Sequence, residues 1–272
     1  MTVPLPPAYF IPDGDALVPT AVAKGPWGQS ISGNFVGGVL GHAIERDEGD
    51  PELQPARLTV DLLRPAAMEP LRVRTRVLRE GRRLKLVDAE VLQSDVVVAR
   101  ASALFLRTGE QPPGVVWTAP IAMPAPPPER DEQPHTVPLL VWAYGRNPNL
   151  PRRSFDLTQW QHDGPKFVWL RDVKPLVEGV PMTPFTRAAM AGDVASSLTH
   201  YGTEGLHYIN ADYTLTLSRL PEGPDIGLAA LTFSGHGGVA TGTAALFDRR
   251  GQIGSATATT LANPGFSPRS AG

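Results

Sequence analysis

The sequence predicts an α+β protein built twice from one unit, a helix followed by an antiparallel sheet that wraps it. Three observations carry this expectation. A Pro-rich stretch divides the 272 residues almost in half, each half holds one helical apolar stripe, and each stripe precedes four strand-like segments. The stretch runs from Gln111 to Pro138. Its prolines at 112, 113, 120, 124, 126, 127, 128, 134 and 138 leave little room for a helix or a central strand. It is read as a linker over 112–138, between an N-terminal unit, 1–111, and a C-terminal unit, 139–272.

In the first unit Val36, Val39, Leu40, Ala43 and Ile44 recur at the spacing of one helix face, with Gly37 and Gly38 placed at the helix start. Leu58, Val60 and Leu62 then alternate with Thr59 and Asp61. Leu71, Val73 and Val77 alternate with Arg72, Arg74 and Arg76, whose charges mark a solvated face. Leu84 to Leu92 and Val96 to Leu106, joined through Gln93, Ser94 and Asp95, read as a hairpin. The second unit opens with two lead-in strands, Ser154 to Gln159 and Lys166 to Arg171. A helix follows from about Pro184 to Thr199, then strands at His207 to Leu217, Ile226 to Phe233, Val239 to Phe247 and Gln252 to Leu261.

The units share a local echo, since Leu62-Leu63-Arg64-Pro65 and Leu217-Ser218-Arg219-Leu220-Pro221 follow the first strand of each. Each unit therefore reads as a helix and a four-strand meander, and the repeat as two copies of one fold. A single helix buries its apolar face against a long sheet when the sheet curls around it, which is the hot-dog arrangement. The small residues Ala188, Ala189, Ala191, Gly192 and Ala195 suit a helix lying close to such a sheet. Joining the sheets of the two copies edge to edge would remove exposed strand edges.

Composition narrows the chemistry. The charge balance is near neutral, with 25 Lys and Arg against 27 Asp and Glu, so no basic field points to nucleic acid. Without cysteine there is no thiolate nucleophile, disulfide framework or sulfur-based zinc site. The histidines at 42, 135, 162, 200, 207 and 236 show no paired metal-ligand spacing, so neither metal nor cofactor is expected. No apolar run approaches the length of a membrane span and the first ten residues lack a signal-peptide pattern, which implies a cytoplasmic protein. Gly28-Gln29-Ser30-Ile31-Ser32 lacks the last glycine of a nucleophile elbow. Gly235-His236-Gly237-Gly238 lacks the lysine of a phosphate loop and reads as a hairpin turn.

Asp193 stands out, a carboxylate inside the second helix among small and apolar neighbours. Helix propensity does not select it there, and burial would raise its pKa into the range of a general base. The alternative is an outward-facing residue or one bonded to backbone. Asn210 and Asp212 are expected to share one face of the next strand, opposite Ile209, Ala211 and Tyr213.

These features together resemble the acyl-CoA thioesterase II, or TesB-like, double hot-dog thioesterases over nearly the whole chain. The resemblance rests on the duplicated unit, Leu63-Arg64-Pro65, Phe167-Val168-Trp169-Leu170-Arg171, Ala191-Gly192-Asp193 and Asn210-Ala211-Asp212. It implies a water-mediated hydrolysis of a fatty acyl-CoA, with Asp193 as base and Asn210 where a hydroxyl residue orients the water. The family's third residue is a glutamine on the last strand. Ala258 stands in its place here, with Thr257 and Thr259 as the near polar substitutes. A helix N-terminus, either the one carrying Gly37 and Gly38 or the start of the second helix, is expected to offer N–H groups to the oxyanion. The missing glutamine keeps a second reading open, a non-catalytic acyl-CoA-binding protein of the same fold, and a homo-oligomer is compatible with either. A hot-dog hydratase ranks third, because no aspartate is followed five residues later by a histidine.

Overall fold

The structure, a computed structural model, describes residues 4–129, 137–147, 151–153 and 157–263. A small hairpin, β1 (Phe10–Asp13) and β2 (Ala16–Pro19), precedes helix α1 (Gly33–Glu48). The first unit continues with β3 (Leu53–Leu62), β4 (Arg72–Gly81), β5 (Leu84–Gln93) and β6 (Val96–Arg107). The β5–β6 turn places Ser94 at φ 48° and Asp95 at φ 63°, the left-handed pair that a two-residue hairpin needs. In the second unit β7 (Leu139–Tyr144), β8 (Pro151–Arg153) and β9 (Phe167–Asp172) lead into helix α2 (Pro184–His200). Then come the short pair β10 (Tyr201–Gly202) and β11 (Gly205–Leu206), followed by β12 (Tyr208–Asn210), β13 (Asp212–Leu217), β14 (Asp225–His236), β15 (Val239–Asp248) and β16 (Gly251–Ala262).

Strand order repeats between the units, β4-β5-β6-β3 in the first and β14-β15-β16-β13 in the second. The four-strand meander of the sequence reading is thus corrected, because the first strand of each unit returns to pair with the last. The long connections after β3 and β13 allow this. The echo in sequence marks the same bond in each, Leu63 N–H to Val98 O (3.1 Å) and Ser218 N–H to Ile253 O (2.9 Å). Strands β3 and β13 pair antiparallel, with Thr59 opposite Thr214 and Leu58 opposite Leu215. The resulting sheet has twelve strands among the described residues, and both helices lie on its inner face. The core between them contains Leu40, Ile44, Leu58, Phe105, Phe185, Tyr213 and Leu215, all fully buried or nearly so.

Two local expectations change. Leu157–Trp160 forms a 3-10 turn, not the end of a strand, because the Trp160 ring turns into the core; residues 154–156, like His135 and Pro134, lie outside the described residues. Helix α1 begins at Gly33, four residues ahead of Gly37, with Ser32 as its N-cap. The turn at Gly237 and Gly238 (φ 59° and 82°) is the hairpin expected there, between β14 and β15.

The outer faces of the two units differ. On the first, Arg74 pairs with Glu90 and Arg100 with Asp61 in the open. On the second, residues 121–128 lie over Trp142, Tyr144 and Trp169. Trp169 Nε1 donates to Pro124 O (3.0 Å) and Tyr144 Oη to Ala125 O (3.1 Å). Below them Asp225, fully buried, accepts from Arg171 (2.6 Å) and Arg249 (2.6 Å). The same arginines also donate to the carbonyls of Pro128 and Pro127, so the extended chain is gripped by its backbone oxygens.

Candidate active site

Helix α2 starts as its sequence dictates, with Thr183 accepting the N–H of Thr186 (3.0 Å) and Pro184 in the first turn. Ten residues on, its inner face carries Asp193 toward the start of α1. There the chain needs an acceptor, because Ser32 makes no side-chain cap and the first turn holds no acidic residue. The Asp193 carboxylate supplies it, accepting the backbone N–H of Asn34. Gly33 makes the approach feasible, since a Cβ at that position would stand 2.9 Å from Asp193 Oδ1 and 3.0 Å from Oδ2.

From the other side Asn210 Nδ2 donates to Asp193 Oδ1 (2.9 Å). Burial pushes the Asp193 pKa up to about 6, against the lowering effect of the bonds from Asn210 and Asn34. The residue still keeps a partial opening to solvent. Beneath it the Tyr213 hydroxyl donates to Ala189 O (2.7 Å), and burial together with the Asp193 charge raises the phenol well above its usual range.

The structure brings Asp193 and Asn210 together, and it separates the other residues from them. Thr257 lies on the outer face, its hydroxyl 2.9 Å from that of Thr243, because its neighbours Ala256 and Ala258 take the buried inner positions. Thr259 is exposed and its backbone N–H bonds the Asp212 carboxylate (2.7 Å). Neither hydroxyl reaches Asp193. Gly37 and Gly38 sit past the first turn of α1, where N–H groups already bond the preceding turn, so they are not free oxyanion donors. Their hydrogen side chains serve packing: a Cβ on Gly37 would overlap the Tyr213 hydroxyl, and one on Gly38 would lie 2.5 Å from Met190 Cγ.

Two family models match the chain, the acyl-CoA thioesterase N-terminal domain over residues 23–106 and the C-terminal domain over residues 119–261. The chain belongs to the acyl-CoA thioesterase family. Among solved structures it is similar to the tesB protein of Mycobacterium avium subspecies paratuberculosis, with 17% identity, TM-score 0.67, and coverage of 92% of this chain and 93% of that one. An acyl-CoA thioesterase II of Mycobacterium marinum gives 18% identity, TM-score 0.63, and coverage of 94% and 95%. A hot-dog protein of unknown function from Alicyclobacillus acidocaldarius gives 17%, 0.66, and 94% and 96%. At such identities the likeness speaks for the double hot-dog fold. No curated protein sequence matches the chain.

In this thioesterase-family chain the strand break at Ala211 decides which polar groups face the helices. Ala211 leaves the regular ladder and bonds Thr259 O, so Asn210 and Tyr213 both point inward while Asp212 turns away to Thr259. The expectation that Asn210 and Asp212 share a face fails for this reason: one irregular residue between strands reverses the alternation. The inward polar residue of the last strand in register with Asn210 is Thr260, which is buried and bonds Ala240 O (3.3 Å). Sequence reading also missed Asn34 and Gly33. Their signal was the Ser32 N-cap position, which set the true start of α1. Among the described residues no three His, Asp or Glu side chains group as metal ligands, and no helix is long and apolar enough to cross a membrane.

Proposed function

We propose that the chain hydrolyses the thioester of an acyl-CoA, with Asp193 as the general base and Asn210 as the group that orients the water. The observation that carries this reading is the Asp193 carboxylate held between the Asn34 N–H and the Asn210 amide, with its pKa raised to about 6. At neutral pH such a carboxylate is largely ionised yet basic enough to take a proton in the transition state. Asn210 gives Nδ2 to Asp193, which leaves its Oδ1 to accept from the water. The water passes one proton to Asp193 as its oxygen bonds the carbonyl carbon. The C–S bond then breaks, and the departing thiolate recovers that proton, giving acid and free CoA. No covalent intermediate is needed, in keeping with a chain that has no cysteine. The same reading treats 1–111 and 139–272 as hot-dog units joined edge to edge at β3 and β13, with 112–138 connecting them.

The test is release of free thiol from a panel of acyl-CoAs of short to long chain, with wild type and Asp193→Asn. Wild type should turn over at least one substrate, with kcat/KM rising from pH 5 and levelling above an inflection near 6. Asp193→Asn should lose about 100-fold or more with little change in binding. Binding without turnover across the panel would leave the chain an acyl-CoA-binding protein.

A further inference from the structure

A second polar cluster lies to one side of the proposed base, between the first turn of α1, the end of β9 and the flank of α2 that carries Arg187, Met190 and Val194. It surrounds a cavity of about 20 Å³ lined by Asn34, Asp172 and Arg187, with Leu170, Met190 and Val194 among its apolar walls. Two side-chain oxygens there are closed off from solvent and have no hydrogen-bond partner, Asn34 Oδ1 and Asp172 Oδ1. Enclosed acceptors of this kind are destabilising when left unmatched. The volume accommodates one water, for which about 10–15 Å³ is needed. A water has two protons to give, one for each oxygen, and Arg187 on the same wall can donate to it in return. Tyr9, just ahead of β1, closes the cluster, its hydroxyl donating to Pro138 O (3.0 Å) beside the Asp172 carboxyl.

We infer that a single buried water joins Asp172 to Asn34, and that this link makes both of them positioning residues for Asp193. Asn34 has two duties at once. Its backbone N–H holds the Asp193 carboxylate, and its side chain is tied through the water to β9, so the first turn of α1 is fixed relative to α2. The inference rests on Asp193 being the base only for its catalytic consequence. The link itself is a property of the ligand-free chain.

The experiment combines a crystal structure of the full ligand-free chain with a carbon-13 NMR titration of the Asp193 carboxyl. Wild type, Asn34→Leu, Asp172→Leu and the double variant are compared. The titratable groups facing these carboxyls, Tyr213 at Asp193 and Tyr9 and Arg187 at Asp172, stay unchanged. Asp172, its pKa pushed to about 7 by burial, is mostly protonated where Asp193 titrates, so its removal takes away little charge there. The expected result is one water at roughly 2.7–3.2 Å from both oxygens. The Asp193 midpoint should rise from about 6 in each single variant, and the double should rise no further than the larger single. A dry cavity, an unmoved midpoint or additive shifts would overturn the proposal. If a leucine variant does not fold, the wild-type crystal structure decides by the presence or absence of the bridging water. The titration needs no turnover, so its outcome stands apart from whether the chain hydrolyses a thioester.

Discussion

Helix α1 begins against a carboxylate supplied by the other half of the chain, whereas α2 begins on its own threonine. His42 stands as far from Ser32 in α1 as Asp193 stands from Thr183 in α2, so the repeat puts an ionisable group at both positions. Around Asp193 the polar partners converge. Around His42 the side chains run outward to Arg46 and Asp47 near the surface, and burial lowers the imidazole pKa. Glu45, one turn on, meets Thr183 at the start of α2, where the N-cap is already in place. The outer faces diverge in the same way, exposed ion pairs on the first unit and a gripped, covered face on the second. The repeated strand order thus carries a different charge pattern in each unit.

The largest expected effect breaks the contrast between outer faces. Asp225→Ala leaves the buried Arg171 and the partly buried Arg249 without their carboxylate and should cost about 3–5 kcal/mol, read from urea unfolding. Asp61→Ala, which removes the exposed partner of Arg100, should cost less than about 1 kcal/mol in the same assay.

Next comes the pH dependence of stability. A carboxyl whose folded pKa is raised stabilises the fold fully below its unfolded value near 3.8, and that contribution is lost as pH rises through about 6. The stability of wild type relative to Asp193→Asn should therefore fall by on the order of 2–3 kcal/mol between pH 4 and pH 7.5. Asp172, raised to about 7, works in the same direction up to neutral pH. A difference that grows with pH would mean that the bonds from Asn34 and Asn210 outweigh burial.

Gly37→Ala tests the helix crossing on a smaller scale. Its methyl group would press on the Tyr213 hydroxyl and should cost about 1–3 kcal/mol, and less in a Tyr213→Phe background where the hydroxyl is gone. Thermal unfolding of the two pairs gives the coupling. The smallest effect is expected at His42. His42→Ala should leave thioester turnover within about twofold of wild type, which is the sharpest statement that only one member of the repeated pair serves the proposed reaction.

Both helices, the β5–β6 hairpin and the turn at Gly237 and Gly238 could be read from local spacing, because each is fixed by residues near one another in the chain. Asp193 was visible for a related reason, a charge where local propensity disfavours one. What depended on distant partners was not visible. The return of β3 to β6, the reversal at Ala211 and the meeting of Asn34 with Asp193 are set by contacts across tens to more than a hundred positions. The periodicity of Thr257 and Thr259 was correct for a strand, but nothing local says which face looks at the helices. Gly37 and Gly38 suggest oxyanion donors from their local setting, whereas their packing role is set by Tyr213 and Met190, which lie far along the chain.

The bond from Asn34 to Asp193 crosses the Pro-rich stretch, and this gives the molecule an unusual inheritance. Val115, Val116 and Trp117, which lie in that stretch, are almost fully exposed, so a protease can nick the chain there. The nicked pieces would remain clasped through β3 and β13 with the carboxylate still seated on α1. Either piece made alone would carry half of that arrangement and an unsated strand edge. Fragment complementation would restore both at once, and over generations a change at Gly33 is judged by a residue encoded far downstream.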